Sequence, residues 1–202
     1  MLAVLAAIGF QLVLPDTLVG GLGPRWLVPG LEGVIGVALL VANPHHRVES
    51  VTLRWASLSL IALVNVANLV SLGELVAKLV TGTSHATGRP LIYASVPIWL
   101  TNVLVFGLWY WELDRGGPAA RLSSAHRAPD FLFPQMAAPY ASPRWAPGFV
   151  DYLYTSFTNA TAFSPTDTMP LTAWAKMLMM VQSVASLLTV ALVFSRAVNI
   201  LN

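Results

Sequence analysis

Oxygen ligands cluster late in the chain. Ser164 and Thr166 offer hydroxyls, Ala162, Phe163 and Ser164 offer successive backbone carbonyls, and Asp167 adds a carboxylate. Such oxygens can replace a cation's hydration shell, and a carboxylate at the mouth of a path attracts cations. The same residues, Ser164-Pro165-Thr166-Asp167, also make a capped turn, because Ser, Thr and Asp beside proline favour turns. Thr168 or Thr172 would then cap the helix that follows. On this segment alone both readings stand. Elsewhere the chain is poor in reactive groups. It has no cysteine, and therefore no disulfide, thiolate nucleophile or zinc–thiolate site. Two of its four histidines, His45 and His46, are adjacent, a spacing that does not put both rings on one helix face. No His, Glu and Asp set has the spacing that positioned acid–base chemistry needs. The expectation is neither an enzyme nor a holder of a metal or other cofactor.

The elements that must position these oxygens are membrane helices. Of 202 residues, 56% are hydrophobic and 10% charged, against roughly 25% charged in an ordinary soluble domain. Eleven Lys and Arg against nine Asp and Glu leave a net charge of +2, too sparse for a surface built to bind nucleic acid. A bilayer core about 30 Å thick needs about 20 apolar residues of helix. Residues 53–72, 91–113 and 171–201 meet that requirement, residues 26–42 lie near its lower limit, and residues 2–15 fall short. The first segment has neither a positive leader nor a small-x-small cleavage site, so it reads as a membrane helix and not as a signal peptide. Gly20, Gly21, Gly23 and Pro24 then close a hairpin. The expected fold is all-α: a polytopic membrane protein with about five transmembrane helices and one re-entrant helix.

Residues 114–148 break the pattern. Pro118, Pro129, Pro134, Pro139, Pro143 and Pro147 recur there, a density that predicts a long extramembrane loop without regular helix. The apolar and aromatic stretch that follows, residues 149–163, is too short to cross a bilayer and reads as re-entrant. Irregular backbone at that depth must be buried in protein or line water.

From Thr155 to Lys176 the chain reads TSFTNATAFSPTDTMPLTAWAK. This run resembles the pore motif of potassium channels and the wider tetrameric cation-channel family, in which a pore helix ends in T-T-V-G-Y-G-D and x-x-P-x-T-x-W-x-R follows. It aligns without a gap. Ser156, Ala160, Thr161, Asp167, Pro170, Thr172 and Trp174 fall on matching positions, and Lys176 stands where arginine is frequent. The resemblance covers about the last 110 residues and leaves the first 90, a group of accessory helices, without a counterpart. It implies an outer helix at 91–113, a pore helix at 149–161, a filter-like turn at 162–168 and an inner helix at 171–201. The ion path then runs past Thr161, Ala162, Phe163, Ser164, Pro165, Thr166 and Asp167. Gln182, Ser186 and Thr189 line one face of the inner helix, unless these polar groups serve close helix packing.

The departures from the family shape the expected function. Ser164 and Thr166 replace filter glycines, which accept a positive φ without a Cβ penalty. Pro165 replaces a tyrosine, fixing φ and removing a donor, and Ala162 replaces a threonine. The resemblance thus implies a homotetrameric cation channel with S-P-T-D in place of G-Y-G-D, passing monovalent or divalent cations by a route of its own. The alternative is a non-conducting accessory protein that reuses the pore fold as an interaction scaffold, plugged by Phe163 and Pro165. The chain is also similar to uncharacterised bacterial integral membrane proteins with a comparable S-F-T, S-D-T and V-N pattern, which points to a bacterial cytoplasmic membrane.

The remaining polar residues carry smaller expectations. Glu32 lies inside the second apolar segment and must be neutral, paired or near the interface. Asn65, Asn68 and Asn102 read as interhelical hydrogen-bonding groups. Trp99, Trp109, Tyr110 and Trp111 read as interfacial anchors, and Met177, Met179 and Met180 as core filler. No span carries an arginine ladder, so no voltage sensor is expected. Among the short loops, Arg25, Lys78, Arg89 and Arg196 against Arg47 and Arg54 favour an external Pro-rich loop and an internal C-terminus.

Overall fold

The computed structural model describes residues 2–14, 26–42, 51–81, 88–122, 127–137, 145–161 and 167–201. Helix dominates. In chain order the α-helices are α1 (Leu2–Val13), α2 (Leu27–Ala42), α3 (Val51–Thr81), α4 (Gly88–Leu113), α5 (Pro118–Leu122), α6 (Pro134–Ala137), α7 (Phe149–Thr161) and α8 (Ala173–Leu201). Two short strands, β1 (Phe131–Leu132) and β2 (Met169–Pro170), pair antiparallel, with Phe131 opposite Pro170 and Leu132 opposite Met169.

Three helices are long and apolar enough to cross a membrane, over Val51–Lys78, Tyr93–Gly116 and Ala173–Leu192. They fit a membrane-embedded protein. Large apolar side chains exposed on α3 (Trp55, Val66), α7 (Val150, Tyr154) and α8 (Met180, Val184, Leu187) fit lipid as the surrounding solvent. The α3 helix runs nine residues past the end expected at Leu72. Glu74 and Lys78, an i,i+4 pair 3.6 Å apart, support the added turns.

The centre of the bundle is α4. Two-thirds of its membrane window is buried, 67% against 44% for α3 and 33% for α8. One side, with Val105 and Leu108, packs with Val4, Ala7 and Ile8 of α1 and Leu60, Ile61 and Val64 of α3. The other side, with Phe106 and Tyr110, packs with Tyr152 of α7 and Ala175 and Met179 of α8. Phe131 and Phe133 of the loop complete this second cluster. A third cluster joins Leu72 and Leu75 of α3, Ala94 and Ile98 of α4, and Ala185 of α8. The accessory helices α1 and α3 therefore pack directly on the helix expected to be the outer helix of the pore module.

The described residues of the Pro-rich segment include regular helix, against the expectation of a loop without any. Pro118 and Pro134 open the short helices α5 and α6, the first helical position being where proline's missing N–H does no harm. Tyr110 and Trp99 correct the expectation of interfacial anchors: Tyr110 is fully buried, and the Trp99 indole N–H donates to Ser186 Oγ at 2.8 Å. Of the three methionines only Met179 is buried, while Met177 and Met180 lie on the exposed face of α8. Nδ2 and Oδ1 of Asn102 find no hydrogen-bond partner among the described residues, so the expected interhelical bond is not made there. The glycine hairpin after α1 and the pair His45 and His46 lie outside the described residues.

Candidate functional site: a short helix clamped between two long ones

The α7 helix spans the 13 residues expected of the re-entrant helix, Phe149–Thr161, and at about 20 Å it is too short to cross a bilayer core. Its start is capped reciprocally. Gly148 N–H donates to Asp151 Oδ2 at 2.8 Å and Asp151 N–H donates to the Gly148 carbonyl at 3.1 Å, with the carboxylate favoured at the positive end of the helix. Three hydroxyls bond back to their own helix: Thr155 to the Asp151 carbonyl, Thr158 to the Tyr154 carbonyl and Thr161 to the Thr158 carbonyl, each at 2.9 Å.

The helix is amphipathic in an inverted sense. Its inward face carries Tyr152, Thr155, Ser156 and Ala160, all buried, and its outward face carries Val150, Tyr154 and Phe157, all exposed. The inward hydroxyls and amides meet a matching set on α4 and α8. Gln182, fully buried, is the hub. Its Nε2 donates to the Ser156 carbonyl at 2.9 Å and to Ser156 Oγ at 2.6 Å. Its Oε1 accepts from Tyr110 Oη and, at 2.8 Å, from Asn159 Nδ2. Two donors and two acceptors exhaust what a side-chain amide can do. Ser156 Oγ in turn donates to the Val103 carbonyl at 2.7 Å. Asn159 Nδ2 also donates to the Met179 carbonyl at 3.0 Å, and Asn159 Oδ1 accepts from Ser183 Oγ at 3.1 Å. One turn further on, Ser186 Oγ donates to the Ala160 carbonyl. Close backbone approach makes this possible: a Cβ on Gly107 of α4 would sit 3.2 Å from the Leu153 Cα of α7.

A second clamp closes over the same end of the three helices. Asp114, fully buried where α4 gives way to a 3₁₀ turn, accepts from Tyr152 Oη at 2.6 Å and from the Asp130 N–H at 2.8 Å. Asp130 reciprocates: its Oδ2 accepts the Arg115 N–H at 2.8 Å, its Oδ1 the Trp174 indole N–H at 2.9 Å, and its carbonyl the Leu171 N–H at 2.8 Å. Arg121 caps the end of α4, donating to the Trp111 and Asp114 carbonyls at 2.6 and 3.0 Å, with its guanidinium over the rings of Trp111 and Tyr152. Burial pulls the Arg121 guanidinium below its usual value, opposed by Tyr152, Asp114 and Glu112. Burial, then the Asp114 carboxylate, hold the Tyr152 phenol above its own, so it stays a neutral donor. The turn needs left-handed backbone at Arg115 (φ 53°), Gly116 (φ 86°) and Gly117 (φ 106°), which explains two consecutive glycines after Asp114-Arg115. Arg54 of α3 donates to the Gly116 carbonyl and ties the accessory helices to the same turn.

Of the residues singled out from sequence, Thr161 ends α7, half-buried, and Asp167 is exposed beyond it. Ala162, Phe163, Ser164, Pro165 and Thr166 lie outside the described residues. Thr168 bonds to Thr155 through their hydroxyls at 3.1 Å. The Thr172 carbonyl accepts from the Lys176 N–H in the first turn of α8, but the Thr172 hydroxyl has no hydrogen-bond partner among the described residues and so does not cap. Gln182, Ser186 and Thr189 share one face of α8, as the spacing predicts, and that face is turned into the chain's own interior: the three are 0%, 0% and 3% exposed. Sequence reading missed Asp114, Asp130, Arg121 and Tyr152. One signal for them was an acidic residue closing a long apolar helix before Gly-Gly; another was the aromatic island Pro129-Asp130-Phe131-Leu132-Phe133-Pro134 in an otherwise small-residue loop.

No group of three or more His, Asp or Glu side chains that could hold a metal ion occurs among the described residues. No protein-family model, curated protein or solved structure matches the chain.

Proposed function

We propose that the chain is the subunit of a channel-like membrane assembly, a homotetramer in which residues 161–167 form an atypical cation filter and Asp167 draws cations to its mouth. One observation carries the reading. A helix too short to span stands between two long apolar helices that precede and follow it in sequence, with its polar face locked inward through Gln182 and its last residue, Thr161, six positions before Asp167 in the chain. Irregular backbone at that depth is tolerated where it is buried in protein or lines water, and fourfold assembly would provide both. The Pro-rich segment holds the start of α8 and the strand before it, through β1–β2 and the Asp130–Trp174 bond. In this assembly the accessory helices brace α4 from outside.

A second reading, a non-conducting scaffold with the same fold, is favoured by α8. Its polar residues Gln182, Ser186 and Thr189 are committed inside the chain, and its exposed face is Met177, Met180, Val181, Val184, Leu187 and Leu188. An axial path bordered by that face would be apolar and would favour dewetting. Reconstitution in liposomes, with potassium, sodium and calcium flux measured alongside the mass of the detergent-solubilised oligomer, separates the two. A tetramer with cation flux supports the channel, a tetramer silent to every ion supports the scaffold, and a monomer overturns both.

A further inference from the structure

A titratable group outside the pore module is buried without a full set of partners. Glu32, in the second turn of α2, is fully buried. Its Oε1 accepts one bond from the side-chain amide of Gln11 in α1, at 3.3 Å, and its Oε2 has no hydrogen-bond partner among the described residues. Nor does any cation pair with it among the described residues. Helix α1 has no ionisable side chain between Leu2 and Val13. On α3, which also packs against α2, Arg54 is committed to the Gly116 carbonyl, and Lys78 and Glu74 pair with each other. A carboxylate in this position would hold a full charge on one long amide bond in an apolar setting, where burial of an unpaired ion is heavily penalised. A carboxylic acid has no such penalty.

We propose that Glu32 is a reversible proton-binding site that holds α2 against α1: the packed arrangement requires the proton, and its release requires α1 and α2 to part enough to admit water. The sign follows directly. The neutral acid is the form compatible with packing, so packing is retained in acid and loosens as the pH rises through the site's titration. Because α1 packs in turn on α4, the loosening is passed to the bundle's central helix. The inference is independent of whether ions pass through the protein.

The test uses full-length protein in lipid nanodiscs. Infrared difference spectra between acidic and alkaline buffer should show loss of a protonated-carboxyl C=O band in the wild type that is missing from Glu32→Gln, the neutral isostere that keeps the Gln11 contact, while the bands of the other carboxyls are common to both proteins. Hydrogen exchange of the α1 and α2 amides should become faster in the wild type than in Glu32→Gln as the pH is raised, and match it in acid. A wild-type difference spectrum that Glu32→Gln reproduces without loss of any carboxyl band overturns the proposal. So does an acid band in the wild type that never titrates, or exchange in α1 and α2 that is the same in both proteins at every pH.

Discussion

Gln182 is a complete hydrogen-bonding residue in a place where incompleteness is costly. Leaving a buried donor or acceptor without its partner costs about 1–3 kcal/mol, so Gln182→Leu should destabilise the protein by about that amount, chiefly by stranding Tyr110 Oη, whose remaining neighbour is Asn159 Nδ2 at 3.4 Å. Adding Tyr110→Phe to that variant should recover part of the loss, because removing both partners is milder than removing one. Thermal melts of the two single variants and the double variant in one detergent give the coupling. At this scale the sequence was legible in kind but not in direction. The spacing of Gln182, Ser186 and Thr189 placed them on one face, yet helical period cannot say whether a polar face looks toward a path or toward a neighbouring helix. In lipid the two faces exchange their usual meaning, since tails solvate apolar side chains as well as a core does. Asp114 and Asp130 were illegible for a different reason. Each matters only because the loop returns to the other, a pairing across 16 positions that no local pattern encodes.

At the scale of elements, the periodic apolar segments announced themselves: α1, α2, α4 and α7 lie where hydropathy and proline placement put them. The end of α3 and the order of the Pro-rich segment did not. The apolar run reads as ending at Leu72, but the helix continues to Thr81, and prolines counted as breakers instead serve as first helical residues. The contact between α4 and α7 depends on the missing side chain of Gly107. A valine there would push against the α7 backbone at Leu153, not against a flexible tip. Gly107→Val should therefore separate the two helices, break the Ser156–Val103 bond they share and lower the melting temperature by several degrees, about 1–3 kcal/mol of overpacking. Gly73→Ala, which meets nothing within 4 Å, is the matched control and should be neutral or mildly stabilising.

For the whole molecule, the sequence gives a strong account of a helical membrane-embedded chain and a weak one of activity, because an ion path belongs to an assembly. Asp167 is the point at which the channel proposal is most exposed to test. Asp167→Asn should reduce cation flux most at low ionic strength and little at high, since a Debye length of about 30 Å at 0.01 M shrinks to about 3 Å at 1 M. Flux that is unaltered in the variant at both ionic strengths removes this carboxylate from the mechanism. The pairing of β1 with β2 bears on a different matter, the order in which the protein comes together. Phe131 and Pro170 lie on either side of α7 in the chain, so closing this pair requires the whole intervening segment to be looped back, at an entropic cost that no contact offsets until α7 has docked. The clasp built on Asp130 should therefore form late, after the folding transition state. Asp130→Ala is expected to accelerate unfolding while leaving the refolding rate nearly unchanged. The two aspartates would then act as a kinetic latch, setting how long the native state lasts and not how fast it is reached.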